Sequence, residues 1–415
     1  MKQESVCRSA VPPLAVWKVE ITRNGISSFF DKKIFEQKFP NIKIKHAIKN
    51  PKSIDNKVFD ESCDQKVIPS EVIITDKKGK SSIVKLRYNP TSAISLFLPK
   101  TKNDKIVFRI QKDKNITTLP LGVTFLKETP NSIVSLVGKD RLSIILFDGC
   151  WNWNIGTQCH FCDLNPKRKN YKSVIPNLND LVTLDNDYKK WWQQYKIKYF
   201  SSLKKSLKEA YKLASPHKHL LIMSGGFIDN EFLWQMIIEL LEKINSIIPL
   251  KNFDNLLNSP PPTKKIKDKF LKIKALGIKQ VQFNLEVIGE EQFKETCPGK
   301  SNAIGYNNFK KALKIGAKIF GKGHSRSNFV FTSRTGSKLI QEATSLAKDG
   351  IVMDYSIFQP KRGTFWSNKK SPSVNEIIKF NIKLAKIYKR NNFSGIYCNL
   401  SSRSSVINEF LDNDY

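Results

Sequence analysis

The 415 residues allow two domains, or one large α/β domain with an extension, and 40% hydrophobic residues argue against global disorder. The formal charge of +33 leaves a polyanionic partner such as RNA open, but only 11 of the 70 basic residues are arginine and the lysines are spread along the chain, which reads more simply as compositional bias. There is no apolar run long enough for a membrane span, no apolar stretch near the N-terminus that reads as a secretory signal, and the seven cysteines are too sparse for a disulfide framework, so a cytoplasmic protein with reduced thiols is expected.

Residues 1–140 read as a β-rich N-terminal domain or extension. In "VWKVEI" (16–21), Val16, Lys18 and Glu20 alternate with Trp17, Val19 and Ile21, as in a strand. "EVIITDKKGKSSIVKLRY" holds two β-branched runs around Asp76–Gly79, a hairpin pattern, and "ISLFLPKTKNDKIVFRI" repeats the form with a turn near Lys102–Lys105.

After residue 141 strands alternate with helices. The strands are expected at 142–147, 219–226, weakly within 246–257, then at 279–287, 327–332 and 351–358. Helical spacing marks 188–214, Phe232–Ile244, Ile266–Ile273 closed by Gly277, Tyr306–Leu313 and Leu339–Ala347. A last helix starts at Ser373 with Glu376 three residues on, a capping box. Six strand–helix units fit a parallel sheet, either doubly wound and open or rolled into a partial barrel. In both, chemistry gathers at the carboxyl ends of the strands. Residues 141–392 form this α/β unit and 393–415 a tail.

The loop "LFDGCWNWNIGTQCHFCDLNPKR" follows the first of these strands and holds Cys150, Cys159 and Cys162. Structural zinc takes four ligands, commonly as two paired knuckles, and here there is one knuckle. His160 could make a fourth ligand, though adjacent to Cys159 it would be strained. A count of three suits an iron–sulfur cubane with one iron left open. In the strand 279–287, Gln280, Gln282, Asn284 and Glu286 form a polar row on a strand that helices on both sides make central. Such a row is costly unless satisfied, and a polar ligand would satisfy it. Cys297 reads more simply as an inert thiol than as a ligand or radical relay. His217 and His219 flank the far end of their strand and read as structural. Trp151 and Trp153 would shield or secure the long loop, and "NPKRKNYK" (165–172) reads as a solvated basic surface near the mouth.

The three cysteines, with Phe161 before the last, resemble the radical S-adenosylmethionine (radical SAM) superfamily, in a Cys150-x8-Cys159-x2-Cys162 spacing that departs from the family's usual CxxxCxxC. Further stretches agree in order. "SGG" (Ser224, Gly225, Gly226) resembles the family's contact to the methionine amino group. "NLEV" (284–287, with Asn284 and Glu286) resembles a polar strand end, and "CPGK" (297–300) follows it as in biotin-synthase-like members. "GKGHSRSNFVF" (321–331, with Arg326) resembles the fifth-strand region that meets ribose or carboxylate, and "FQPKRGT" (358–364, with Gln359) the turn beside adenine.

The resemblance implies a partial (β/α)6 TIM-like barrel behind the β-rich region. It implies a [4Fe–4S] cluster on Cys150, Cys159 and Cys162, with S-adenosylmethionine held near Phe161, Ser224, Gly225, Gly226, Asn284, Glu286, Arg326 and Gln359. It also implies an electron donor of the flavodoxin or ferredoxin type and a 5′-deoxyadenosyl radical that takes hydrogen from a small or anionic substrate, a nucleotide or RNA among them. The alternative from another class is a zinc-stabilised nucleic-acid-binding protein using Cys150, Cys159, His160 or Cys162 and the basic surface.

Overall fold

The structure is a computed structural model. It describes residues 13–25, Ser92 and short strands between 30 and 125, 133–137, 141–164, 175–213, 218–361, 363–395 and 405–411.

Helix α1 (Pro13–Asn24) stands where alternation over 16–21 predicts a strand. The deciding pattern is Ala15, Lys18, Val19 and Thr22, all buried and three or four residues apart. That helical period extends beyond the six-residue alternation and overrides it. Short antiparallel strands follow. β1 (Phe30–Asp31) pairs with β2 (Lys66–Val67). β3 (Glu71–Thr75) and β4 (Ser81–Lys85) form the expected hairpin. β5 (Ile94–Phe97), β6 (Val107–Lys112) and β7 (Asn115–Thr118) form a meander, and β8 (Gly122–Phe125) joins β3. The turns at 76–79 and 102–105 lie outside the described residues.

The main sheet begins with β9 (Val134–Val137), antiparallel to β10 (Arg141–Ile145). From there every pairing is parallel, through β11 (His219–Met223), β12 (Asp254–Asn258), β13 (Gln280–Gln282), β14 (Ser325–Phe331) and β15 (Ile351–Ile357). Strand order equals chain order from β9 to β15. With right-handed crossovers, that order sends each helix to the same face, and the sheet curls as a partial barrel. A doubly wound sheet would reverse its order near the middle. The α/β fold with six parallel strands is therefore the barrel form of the two that the sequence allows.

The crossovers carry α2 (Trp151–Asn154), α3 (Leu178–Val182), α4 (Tyr188–Leu213), α5 (Asn230–Ile247), α6 (Ile266–Ala275), α7 (Glu290–Thr296), α8 (Pro298–Ala303), α9 (Tyr306–Phe320), α10 (Gly336–Lys348) and α11 (Val374–Asn391), with α12 (Ile407–Leu411) near the chain end. The Ser373–Glu376 capping box is present in full. Phe283 stacks on Phe270 of α6 at 5.4 Å, and Ser325 donates to the Leu313 carbonyl of α9 at 2.8 Å. These contacts turn Val281, Phe283 and Ser325 toward the helices, and so turn Gln280, Gln282 and Arg326 inward.

The strand expected over 279–287 is shorter than its alternation suggests. The strand ends at Gln282; beyond it Phe283 N–H still reaches the Arg326 carbonyl at 3.0 Å, and Glu286, at a left-handed φ of +66°, keeps an isolated bridge to Phe329. At the β15 edge, α1 packs on α11 and α12. Arg23 donates to the Pro372 carbonyl, and Lys18 and Glu409 form a buried ion pair at 2.6 Å.

Candidate functional site

The long cysteine spacing has a structural use. α2 turns the chain within the eight-residue spacer, Trp151 goes into the core, and Thr157 N–H returns to the Asn152 carbonyl. A tight turn then closes from Cys162 N–H to the Cys159 carbonyl at 3.0 Å. In the same buried core as Trp151 and Cys159, Phe147, Trp191 and Phe227 meet at ring distances of 5.5–6.3 Å, an apolar floor.

Three further strand ends close on this loop. From β11, Gly226 donates its N–H to Cys150 Sγ at 3.3 Å and accepts from Trp151 N–H at 2.9 Å. A Cβ on Gly225 would stand 2.6 Å from the Gly149 carbonyl oxygen, so only glycine permits this approach. The buried Ser224 Oγ beside them has no hydrogen-bond partner among the described residues. From the β13 loop, Gly299 N–H meets the Thr157 carbonyl and Thr296 accepts from His160 N–H, both at 2.9 Å. After β15, Trp366 N–H reaches the His160 carbonyl at 2.9 Å, and its ring lies 5.6 Å from Phe161.

The surroundings of these thiols raise all three above the ordinary thiol range. The Cys150 thiol is raised by burial and then by Cys159. Cys162 is pushed up to about 12, chiefly by burial, with Cys159 and Cys150 adding to it. Cys159 is raised well above the usual thiol range, first by its hydrogen bond with the Cys297 thiol and next by burial. Three coupled thiols form a soft donor set whose thiolates a metal cation would stabilise. They are not a preformed cage. Among the described residues, no three His, Cys, Asp or Glu side chains stand in metal-binding geometry. The residues still suit a cluster. The donors are thiols, Gly226 presents bare backbone to Cys150, and the nearby Ser224 hydroxyl is left unused.

The other expected positions divide. Glu286 is buried and accepts from Lys300 Nζ at 2.6 Å, and its charge is felt at Cys159. Asn284 accepts from Gln282 Nε2 at 2.9 Å, and its carbonyl takes a hydrogen bond from Lys300. Gln280 Oε1, on the inner face, is buried without a hydrogen-bond partner among the described residues. Arg326, on the inner face, is engaged by an acid of the next strand. Its guanidinium makes two 2.8 Å bonds to Asp354, and both residues are buried. Gln359 donates to the Thr22 carbonyl of α1 at 2.7 Å. His160, the zinc candidate, sets its ring 4.8 Å from that of Phe365. The segment 165–172 and His217 lie outside the described residues. Sequence reasoning misses Lys300 and Asn152 as site residues. Only the position of "CPGK" just beyond a polar strand end points to Lys300, and Asn152 carries no sequence signal.

No family model matches the chain. A curated relative, bacteriochlorophyllide c C-7(1)-hydroxylase of Chlorobaculum limnaeum, is 25% identical over 269 residues, covering 61% of this chain and 60% of its own length. The resemblance to the radical SAM superfamily is borne out. The chain thus matches under two thirds of that relative. Among solved structures, the radical SAM enzyme coproporphyrinogen III oxidase from Escherichia coli aligns at 13% identity and TM-score 0.35, covering 61% of this chain and 53% of that one. So loose a likeness bears no weight. The narrower biotin-synthase-like placement gains no support from either relative. Among the described residues, no helix is long and apolar enough to cross a membrane.

Proposed function

We propose that the chain is a radical SAM enzyme. Cys150, Cys159 and Cys162 would hold a [4Fe–4S] cluster by three of its irons, with S-adenosylmethionine at the fourth. When bound, these groups supply a one-electron cleavage that yields a 5′-deoxyadenosyl radical, which takes hydrogen from a substrate carbon. The observation that carries the reading is the cysteine loop, three electrostatically coupled thiols folded onto the bare Gly225–Gly226 backbone at the carboxyl end of the barrel.

The protein's own part is to bind, orient and dry. The Phe147, Trp191 and Phe227 floor excludes water from the core it shares with Trp151 and Cys159. The Gly226 N–H steadies the Cys150 sulfur, and Ser224 offers a free hydroxyl beside it. The inner face of the barrel, with Gln280, Gln282, Asn328 and Ser356, favours a polar or anionic small molecule. The curated relative is named as a hydroxylase, so a C–H bond reacts there, and we take a C–H bond as the reacting bond here. An electron donor of the flavodoxin or ferredoxin class completes the requirement.

The test is iron and acid-labile sulfide content after anaerobic purification, then 5′-deoxyadenosine release under dithionite. About four irons per chain are expected. Cys150→Ala, Cys159→Ala and Cys162→Ala should each abolish release, and full activity in any one overturns the ligand assignment. Zinc at one per chain, with no iron even after reconstitution, overturns the whole reading.

A further inference from the structure

The three-cysteine reading leaves one wall of the loop without a task. That wall is the stretch Cys297–Lys300 at the start of α8. Cys297 is fully buried, and its thiol is hydrogen-bonded with that of Cys159. Gly299 presses the same stretch onto the loop, since a Cβ there would stand 2.4 Å from Asn152 Cγ. Lys300 is the next residue, three beyond Cys297. Its ammonium donates to Glu286 Oε1 at 2.6 Å and to the Asn284 carbonyl at 3.2 Å, and lies 5.8 Å from the centre of the Phe309 ring.

A buried lysine needs a strong reason to stay charged. Burial is the largest single influence and opposes its charge, but the Glu286 carboxylate, its hydrogen bond and the nearby sulfurs of Cys159 and Cys297 together outweigh burial, and the Lys300 pKa ends above its ordinary value. Glu286 reaches it from a left-handed backbone, which a non-glycine residue adopts only where its surroundings hold it there. The pair is not symmetric toward the sulfurs. The ammonium acts on both Cys150 and Cys159, while the carboxylate acts on Cys159 and more weakly. The backbone seats this wall on the cysteine loop, since Thr296 accepts from His160 N–H and Gly299 N–H meets the Thr157 carbonyl, both at 2.9 Å.

We propose that Cys297 and Lys300 are positioning residues that raise the reduction potential of the cluster through the Cys159 sulfur. The proposal rests on the cluster reading above. Reduction adds one electron, taken from a donor of the flavodoxin or ferredoxin class, and makes the cluster more negative by one charge. A thiol hydrogen bond to a ligating sulfur and a nearby desolvated cation both favour that more negative state. No bond is made or broken in this step.

The experiment is a potentiometric titration followed by electron paramagnetic resonance on the reconstituted full chain, with iron counted in each sample. Lys300→Met and Cys297→Ala should each keep their iron and shift the midpoint negative, lowering the reduced-to-oxidised ratio about tenfold at fixed potential, about 59 mV for one electron. Lys300→Arg should restore the wild-type midpoint. Where Lys300→Met does not fold, the double variant Lys300→Met with Glu286→Gln takes its place and should shift the same way. Unchanged midpoints with full iron overturn the proposal while leaving the cluster standing. Loss of iron in Cys297→Ala also overturns it, because Cys297 would then be a ligand. A wild-type chain that takes up no iron overturns the cluster reading, and this inference with it.

Discussion

Replacing Gly225 with alanine should dislodge the cysteine loop from the end of β11. The new Cβ would lie 2.6 Å from the Gly149 carbonyl oxygen and 3.2 Å from Cys150 Cα, both backbone atoms. Ordinary contact begins at 3.4 Å, so the closer pair falls short by 3.4 − 2.6, about 0.8 Å. No flexible side chain can absorb that. Overpacking of this kind costs about 1–3 kcal/mol, and two immovable backbones place it near the upper end. About 3 kcal/mol is roughly a hundredfold in the equilibrium between seated and displaced loop. The assay is iron retained after anaerobic reconstitution and gel filtration. Gly156→Ala is the control, because that glycine has a φ of +71° and a methyl group there would meet nothing within 4 Å. It should cost about 1–2 kcal/mol of left-handed strain and leave iron retention intact. Wild-type iron in Gly225→Ala would refute the reasoning.

Lys18→Met removes the ammonium paired with buried Glu409 and should lower stability by about 3–5 kcal/mol in denaturant titration, with Lys18→Met/Glu409→Leu recovering much of it. Ser373→Ala removes the cap of α11 and should cost about 1 kcal/mol by the same measurement. Glu376 is pushed up by burial but pulled further down by the N–H groups of Ser373 and Arg334, so its folded pKa is lowered. Its contribution is full above the unfolded value of about 4.3 and fades as pH falls through the lowered folded value. Glu376→Gln should flatten that acid limb of a stability–pH curve. Arg326→Lys keeps the charge but loses the two-bond fork, and should cost about 1.5–3 kcal/mol while leaving S-adenosylmethionine affinity unchanged by calorimetry.

Local signals carried most of the barrel. Ser373 and Glu376 sit three apart and form the cap that this spacing requires. The parallel strands fall on or beside the segments expected for them, and the cysteine loop leaves β10 at its carboxyl end. What a local window misses depends on partners distant in sequence. The alternation in 16–21 is real, but Ala15, Lys18, Val19 and Thr22 bury against elements that a local window does not contain. The fate of Arg326 depends on strand register. It pairs with Val352, which brings Asp354 two residues along on the same face, and nothing near Arg326 in the sequence announces that acid. Glu286 looks like one more polar step of an alternating strand, whereas its left-handed turn serves Lys300, fourteen residues later.

The ion pair between Lys18 and Glu409 also sets a timetable. Its members are 391 residues apart, and Arg23 waits similarly for the carbonyl of Pro372. At about 5–20 residues per second of synthesis, α1 spends roughly 20–80 s without its final partner. During that wait its buried stripe of Ala15, Val19 and Ile21 has no native surface on α11 or α12 to cover it. The barrel strands can pair in the order they are made, each beside its predecessor. The contact of α1 with β4 can form early, whereas its docking on α11 and α12 must wait for the chain's last segments.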